Sequence, residues 1–193
     1  HENIMRVAKR AEQAGIAALA LHGRTREDMY LNTARYRLIK DVKQMLSIPV
    51  IANGDIDSPE KAKYVLDYTC ADAIMIGRAA QGRPWIFREI SHYLATGEYL
   101  AAPNIQEVKD VLLGHLSELY EFYGEYSGCR ISRKHIAWYT KGLRSSNEFR
   151  QNMYKVESTA DQYKVVEAYF DDLLAQGEIM SDVQVEQINL LET

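Results

Sequence analysis

Three short apolar runs, Ile16 to Leu21, Ile48 to Ala52 and Ala73 to Ile76, alternate with segments whose apolar residues recur at helical spacing. Near-continuous apolarity over four to six residues marks a strand covered on both faces, not a half-solvated strand, which would alternate. Before the first run, Ile4, Val7, Ala8, Ala11 and Ala14 form one helical face, and Gly15 fits its C-cap. Before the second, Tyr36, Ile39, Val42 and Met45 or Leu46 repeat the pattern. Between the second and third, Ser58-Pro59-Glu60 reads as an N-cap with proline at the first helical position, opening a helix to about Tyr68. Helices between covered strands predict a parallel α/β sheet.

Each run empties into a polar loop: His22-Gly23-Arg24-Thr25, then Asn53-Gly54-Asp55, then Gly77-Arg78. In α/β folds the C-terminal ends of the strands carry the site, and in (β/α)₈ barrels the last two strand-to-helix loops commonly hold a phosphate. The three loops are therefore expected to converge on one ligand. A strand that delivers Gly77 and Arg78 to a helix start would offer unsatisfied N–H groups and the positive end of a helix dipole to an anion. Arg78 could add a bidentate guanidinium contact. Asn53 can supply an amide donor, Gly54 a close backbone approach, and Asp55 an acceptor that fixes the loop. Asn-Gly-Asp is also a good plain turn, and His22 could be a structural residue at a strand end. Arg24 and Thr25 either brace their loop or reach outward.

From about Pro103 the pattern becomes all-helical. Asn104 and Glu107 make a capping box, after which Ile105, Val108, Leu112, Leu116, Leu119 and Tyr123 mark one apolar face. Further helices are expected near 130–141, 147–156 and 160–176, the last packing Val165, Val166, Tyr169, Leu173 and Leu174 inward. Gly177 ends it and an acidic tail follows. The net charge of −4 conceals one basic segment: residues 129–155 carry Arg130, Arg133, Lys134, Lys141, Arg144, Arg150 and Lys155 against Glu148 alone. Arg130, Lys134 and Lys141 share one helical side, with Ile131, His135 and Trp138 on another. Such a side is either a solvated face or a phosphate contact. The two cysteines, Cys70 and Cys129, have no metal-ligand spacing and argue against a disulfide framework. No run reaches membrane-spanning length and no secretory signal opens the chain, so a cytoplasmic location is expected. The start at His1, already inside a helical pattern, reads as a partial sequence.

The ordered strings LHGRT, IPVIANGDI and IMIGRAAQGRPWIF, followed by RISRKHIAWY, resemble the tRNA-dihydrouridine synthases, in particular their bacterial B-type branch. The resemblance runs from His1 to about residue 176. It implies an α/β plus all-α architecture: the last three β/α units of a (β/α)₈ TIM barrel in residues 1–100, a helical tRNA-binding domain in 104–176, and a tail in 177–193. It implies FMN as cofactor, NADPH as reductant and reduction of a tRNA uridine. His22, Asn53, Gly54, Asp55, Gly77 and Arg78 would contact the flavin, and Arg24, Arg130, Arg133, Lys134 and Lys141 the RNA.

In that family a cysteine protonates the uridine and a lysine lies near the flavin. Neither Cys70 nor Cys129 has the matching position, so both groups are expected upstream of His1, and no turnover is expected from this chain alone. No metal site is expected. Two other functions are compatible with the motifs. Another FMN-dependent barrel oxidoreductase acting on a small metabolite would have no use for the basic helical segment. A non-catalytic RNA-binding module would use the partial barrel only as scaffold.

Overall fold

The structure, a computed structural model, describes residues 3–25 and 33–180. The chain divides into two compact units, His1–Ala80 with Pro84–Leu100, and Gln81–Arg83 with Ala101–Thr193. The first contains α1 (Asn3–Gln13), β1 (Leu19–His22), α2 (Tyr36–Met45), β2 (Val50–Asn53), α3 (Pro59–Thr69), β3 (Ala73–Met75), a one-turn 3₁₀ helix (Arg78–Ala80) and α4 (Ile86–Thr96). Its strands form a parallel sheet in the order β1-β2-β3. Register pairs Leu21 with Ala52 and Ala52 in turn with Ile74, and His22 with Asn53 and Asn53 in turn with Met75.

Because side chains alternate along a strand, this register sorts them into two faces. Leu19, Leu21, Val50, Ala52 and Ile74 point to the helices and pack with Ile39, Val42, Ala62, Val65, Ile86 and Ile90 in one core. The opposite face presents Ala20, His22, Ile51, Asn53, Ala73 and Met75, of which Ala20, His22, Ala73 and Met75 are exposed. The expectation of strands covered on both faces thus holds for one face only. Three strands are too few to close a barrel around the other.

Local chemistry sets the element ends. Ser58 Oγ accepts from Lys61 N at 3.1 Å with Pro59 opening α3, and Cys70 caps its end in the left-handed region at φ 56°. The Asp72 carboxylate accepts from Val50 N at 2.7 Å and from Lys43 Nζ at 2.6 Å, tying the approach to β3 to the start of β2 and to α2. Those two bonds, Lys43 first, hold its pKa below the usual carboxylate value. Glu12 likewise accepts from Ser47 N and Oγ, and with Lys9 as its largest influence its pKa is lowered to about 2.

One local expectation needs correction. Gly77-Arg78 does not open an α-helix: a single 3₁₀ turn follows, closed by Ala80 N–H donating to Gly77 O at 3.1 Å, and α4 starts only at Ile86. Gly82 at φ +74° and the missing N–H of Pro84 interrupt any helix through this stretch.

The second unit holds α5 (Ile105–Tyr139), α6 (Ser146–Met153) and α7 (Thr159–Ala175). The expected capping box is present, with Asn104 Oδ1 accepting from Glu107 N at 2.9 Å and Glu107 Oε2 from Asn104 N at 2.8 Å. α5 is a helical hairpin and not one rod. Gly124, at φ 71° and ψ 178°, breaks it into arms of residues 105–123 and 125–139. Twenty residues of straight helix would separate His115 from His135 by about 30 Å, yet their rings lie 4.8 Å apart.

The second arm therefore begins at 125, not near 130. Its buried side is Cys129, Ser132, Ile136 and Tyr139, while Ile131, His135 and Trp138 are only half-buried. Gln162 of α7 joins the bundle: its amide accepts from Tyr120 and Ser132 and donates to Cys129 O. On α7 itself, Val166, Phe170 and Leu173 are buried, and Val165, Tyr169 and Leu174 half-buried. On the first arm, Ile105, Val108, Leu112 and Leu116 are buried, whereas Leu119 is half-buried and Tyr123 exposed.

Candidate functional site

The parallel register alone brings His22, Asn53 and Met75 side by side at the C-terminal edge of the sheet, on its open face. Asn53 Nδ2 donates to Met75 O at 2.7 Å, which fixes the amide's orientation and leaves its oxygen as an acceptor. Two residues past Met75 stands Gly77. A Cβ built there meets nothing within 4 Å, and its φ is not in the left-handed region. The fold does not require glycine at this exposed position.

Gly54 behaves differently. At φ +128° it lies where side chains are strained, and an added Cβ would sit 2.8 Å from Ala34 Cβ. Its carbonyl accepts from the Tyr36 hydroxyl at 2.7 Å. Burial, then the charges of Asp55 and Asp57, push the Tyr36 pKa well above the ordinary tyrosine value, so the hydroxyl stays a donor. Gly54 is thus demanded by packing of the strand end onto the start of α2.

Asp55 binds all three loops together. Its Oδ2 pairs with Arg24 Nη2 at 2.6 Å and accepts from Ala34 N at 2.8 Å, and its Oδ1 lies 3.4 Å from Arg78 Nη2. The Arg24 side chain is 8% exposed, against 61% for Arg78. Of the two alternatives for Arg24, the pairing matches the loop brace, and Asp55 accepts as the loop-fixing group that the sequence suggested. Thr25 is exposed, and residues 26–32 lie outside the described residues.

The bracing set of Tyr36, Ala34 and Gly23 escaped sequence reasoning. Gly23 N donates to Asn53 O at 2.9 Å and Gly23 O accepts from Arg35 N at 2.7 Å. The one available signal was an aromatic residue opening a helix directly after a strand-loop segment.

In the second unit the basic segment separates into outward and inward members. Arg130, Lys134 and Lys141 are exposed. Arg133 is half-buried, with Nη2 donating to Val156 O at 2.9 Å within the bundle. Arg150 bonds Ala137 O and Asn147. Cys129 is buried, with its thiol directed to Val156 O and its pKa raised chiefly by burial. Cys70 caps α3 at the end of the sheet opposite His22 and Asn53.

A family model, Dihydrouridine synthase (Dus), matches residues 1–174. The chain belongs to the dihydrouridine synthase family. Among curated relatives it is similar to the tRNA-dihydrouridine synthase B of Shewanella oneidensis, 56% identical over 174 residues that cover 90% of this chain and 54% of that protein. The protein of the same name from Vibrio vulnificus is 57% identical over 173 residues, covering 90% of this chain and 54% of the relative. That from Pseudomonas aeruginosa is 56% identical over 177 residues, covering 92% and 53%. The chain spans about half the length of these dihydrouridine synthases. The three-stranded parallel sheet with its helices is consistent with part of the family's barrel. No described helix is long and apolar enough to cross a membrane. No metal-ligating cluster of three or more His, Cys, Asp or Glu occurs among the described residues.

Proposed function

We propose that the protein reduces uridine to dihydrouridine in tRNA in the cytoplasm, with FMN as cofactor and NADPH as reductant. In this reading the first unit supplies one wall of the flavin site and residues 104–176 hold the RNA. The observation that carries it is the alignment of His22, Asn53 and Gly77-Arg78 at the C-terminal edge of three parallel strands, on a face open to a ligand. The donor set suits a flavin monophosphate: a ring nitrogen and an amide for the polar edge of the isoalloxazine, and a glycine turn with an exposed guanidinium for the phosphate. FMN bound there supplies the hydride chemistry.

This chain's own residues bind and orient. Asn53 is locked by Met75 O, so its acceptor points one way without further ordering. Arg78 lies beside Asp55, which keeps the guanidinium next to the turn. Asp55 and Arg24 hold the loops rigid behind the contact residues, and the supporting shell sets how closely a site keeps its productive geometry. Arg130, Lys134 and Lys141 would position RNA through phosphates without reading sequence. The acid and the remaining strands would come from outside residues 1–193.

The test is Gly77→Val in the intact protein. We expect flavin absorbance to be lost on purification while the thermal midpoint stays within a few degrees of that of the flavin-free wild type, because the new side chain enters open space. Retention of stoichiometric FMN by this variant overturns the assignment of the turn. A wild-type protein that never carries flavin but binds tRNA favours the non-catalytic module instead. Flavin binding without tRNA affinity favours an enzyme of small metabolites.

A further inference from the structure

The elbow of the α5 hairpin exposes aromatic rings that no core requires. Phe122 is 80% exposed, Tyr126 69% and Tyr123 45%, three aromatics within five residues flanking Gly124. Single exposed apolar residues need no explanation, but a cluster marks an interaction surface. The rings are organised: Phe122 and Tyr123 meet edge to face at 4.8 Å. From Tyr126 a stripe continues along the second arm at steps of four, Tyr126, Arg130, Lys134 and Trp138, which share one helix face. Arg130 lies 3.6 Å from the Tyr126 ring centroid and Lys134 5.8 Å from that of Trp138. The arm's single acid, Glu125, is taken up by Thr159 N at 2.8 Å and by its hydroxyl. The face is therefore cationic and aromatic by turns over about 18 Å of helix.

Charge and shape together select the occupant. A protein partner or a second copy would favour the rings and arginine but not lysine, which protein interfaces are depleted in, and duplex RNA would use the cations without the rings, because its bases are already stacked. Alternating cations and ring faces suit a strand with unpaired bases, where bases stack on aromatics and guanidinium planes while lysines meet phosphates. We propose that the elbow and outer face of the second α5 arm form a stacking platform for unpaired bases of the RNA. This rests on the reading of the basic arm as an RNA face and adds that the face discriminates single-stranded from duplex RNA.

The experiment measures binding of an unmodified tRNA transcript, and of a blunt RNA duplex of similar charge, to the intact protein across a salt series. Tyr126→Ala and Phe122→Ala should each weaken transcript binding about tenfold, since loss of one base–aromatic stack is worth a factor of this order. The salt slope should stay unchanged, Tyr126→Phe should restore binding, and duplex binding should be unaffected. Arg130→Ala should instead lower the slope by about one for both RNAs. Less than a twofold effect of Tyr126→Ala, or equal loss on duplex, overturns the stacking proposal while leaving the phosphate reading intact. If Arg130→Ala and Lys134→Ala leave both affinity and slope untouched, the underlying RNA-face reading falls as well. Wild-type self-association in sedimentation that Tyr126→Ala abolishes would assign the patch to a second copy, against the proposal.

Discussion

At the scale of single residues, the site is organised by an ion pair rather than by the groups that face outward. Arg24 is nearly enclosed and, among the described residues, its Nε has no partner and its charge is met by Asp55. Removing one member of a buried pair leaves an uncompensated charge, which costs about 3–5 kcal/mol. Asp55→Ala should therefore destabilise the protein by about 3 kcal/mol, read as a lower urea midpoint at unchanged m-value. Arg78→Ala, on a side chain 61% exposed, should cost under about 0.5 kcal/mol and lower flavin affinity instead. Equal destabilisation by both variants would remove the distinction between brace and contact. Gly54→Ala tests the packing role from the backbone side: a strained φ and a 2.8 Å approach to Ala34 predict a loss of about 2 kcal/mol or more, seen in the same unfolding curves. The sequence made Asn53, Gly54 and Asp55 legible as a loop at a strand end because all three are turn-forming residues. It could not say that Asp55 faces back to Arg24, since that depends on how the loops are placed side by side by the sheet.

At the scale of elements, helix caps and strand positions were readable because their signals are local: Ser58-Pro59, the Asn104–Glu107 box, and the apolar runs. The hairpin of α5 was only half readable. Gly124, Ser127 and Gly128 together look like a loop, yet only Gly124 leaves the helical region. Gly128 is there because the arms cross closely: a Cβ would lie 3.2 Å from Tyr120 Cα and 3.3 Å from Leu119 O. A glycine chosen for close approach and one chosen for a turn are the same letter. The crossing also presses His115 against His135. Burial lowers both pKa values; for His135, burial is followed by the charges of His115 and Lys134, which bring it to about 4. A folded pKa below the unfolded one means the unfolded state binds more protons between them, so stability rises with pH through that window. Stability should be flat above about pH 7 and fall as pH drops toward 4, and below that the lowered pKa values of Glu12 and Asp72 continue the fall. Each pKa unit is worth 1.36 kcal/mol before solvent screening, and His135 is partly exposed, so roughly 1–2 kcal/mol should be lost. His135→Gln should flatten this slope in urea titrations from pH 7 to 4.5, and an unchanged slope would place the acid sensitivity elsewhere.

At the scale of the molecule, the decisive fact is that one face of the sheet is covered and the other is not. Parallel sheets occur almost only with both faces buried, and here Ala20, Ala73 and Met75 stay exposed beside half-buried Ile51. β1 and β3 also present unpaired edges, since each has a single strand neighbour among the described residues. An open edge beside an apolar face is a template for further pairing. The matched stretch covers only 54% of each of two curated relatives, and the remainder is the amount of sequence a closed barrel would need for its other strands. The 193-residue chain expressed by itself should therefore self-associate at micromolar concentration and bind a hydrophobic dye. Co-expression with the first half of a relative's barrel should suppress both, because the same face would then be filled from within. Sedimentation velocity with dye fluorescence reads both outcomes. A lone chain that stays monomeric, melts cooperatively and ignores the dye would mean that the face is satisfied without further strands, and the partial-barrel account of the sheet would fail with it.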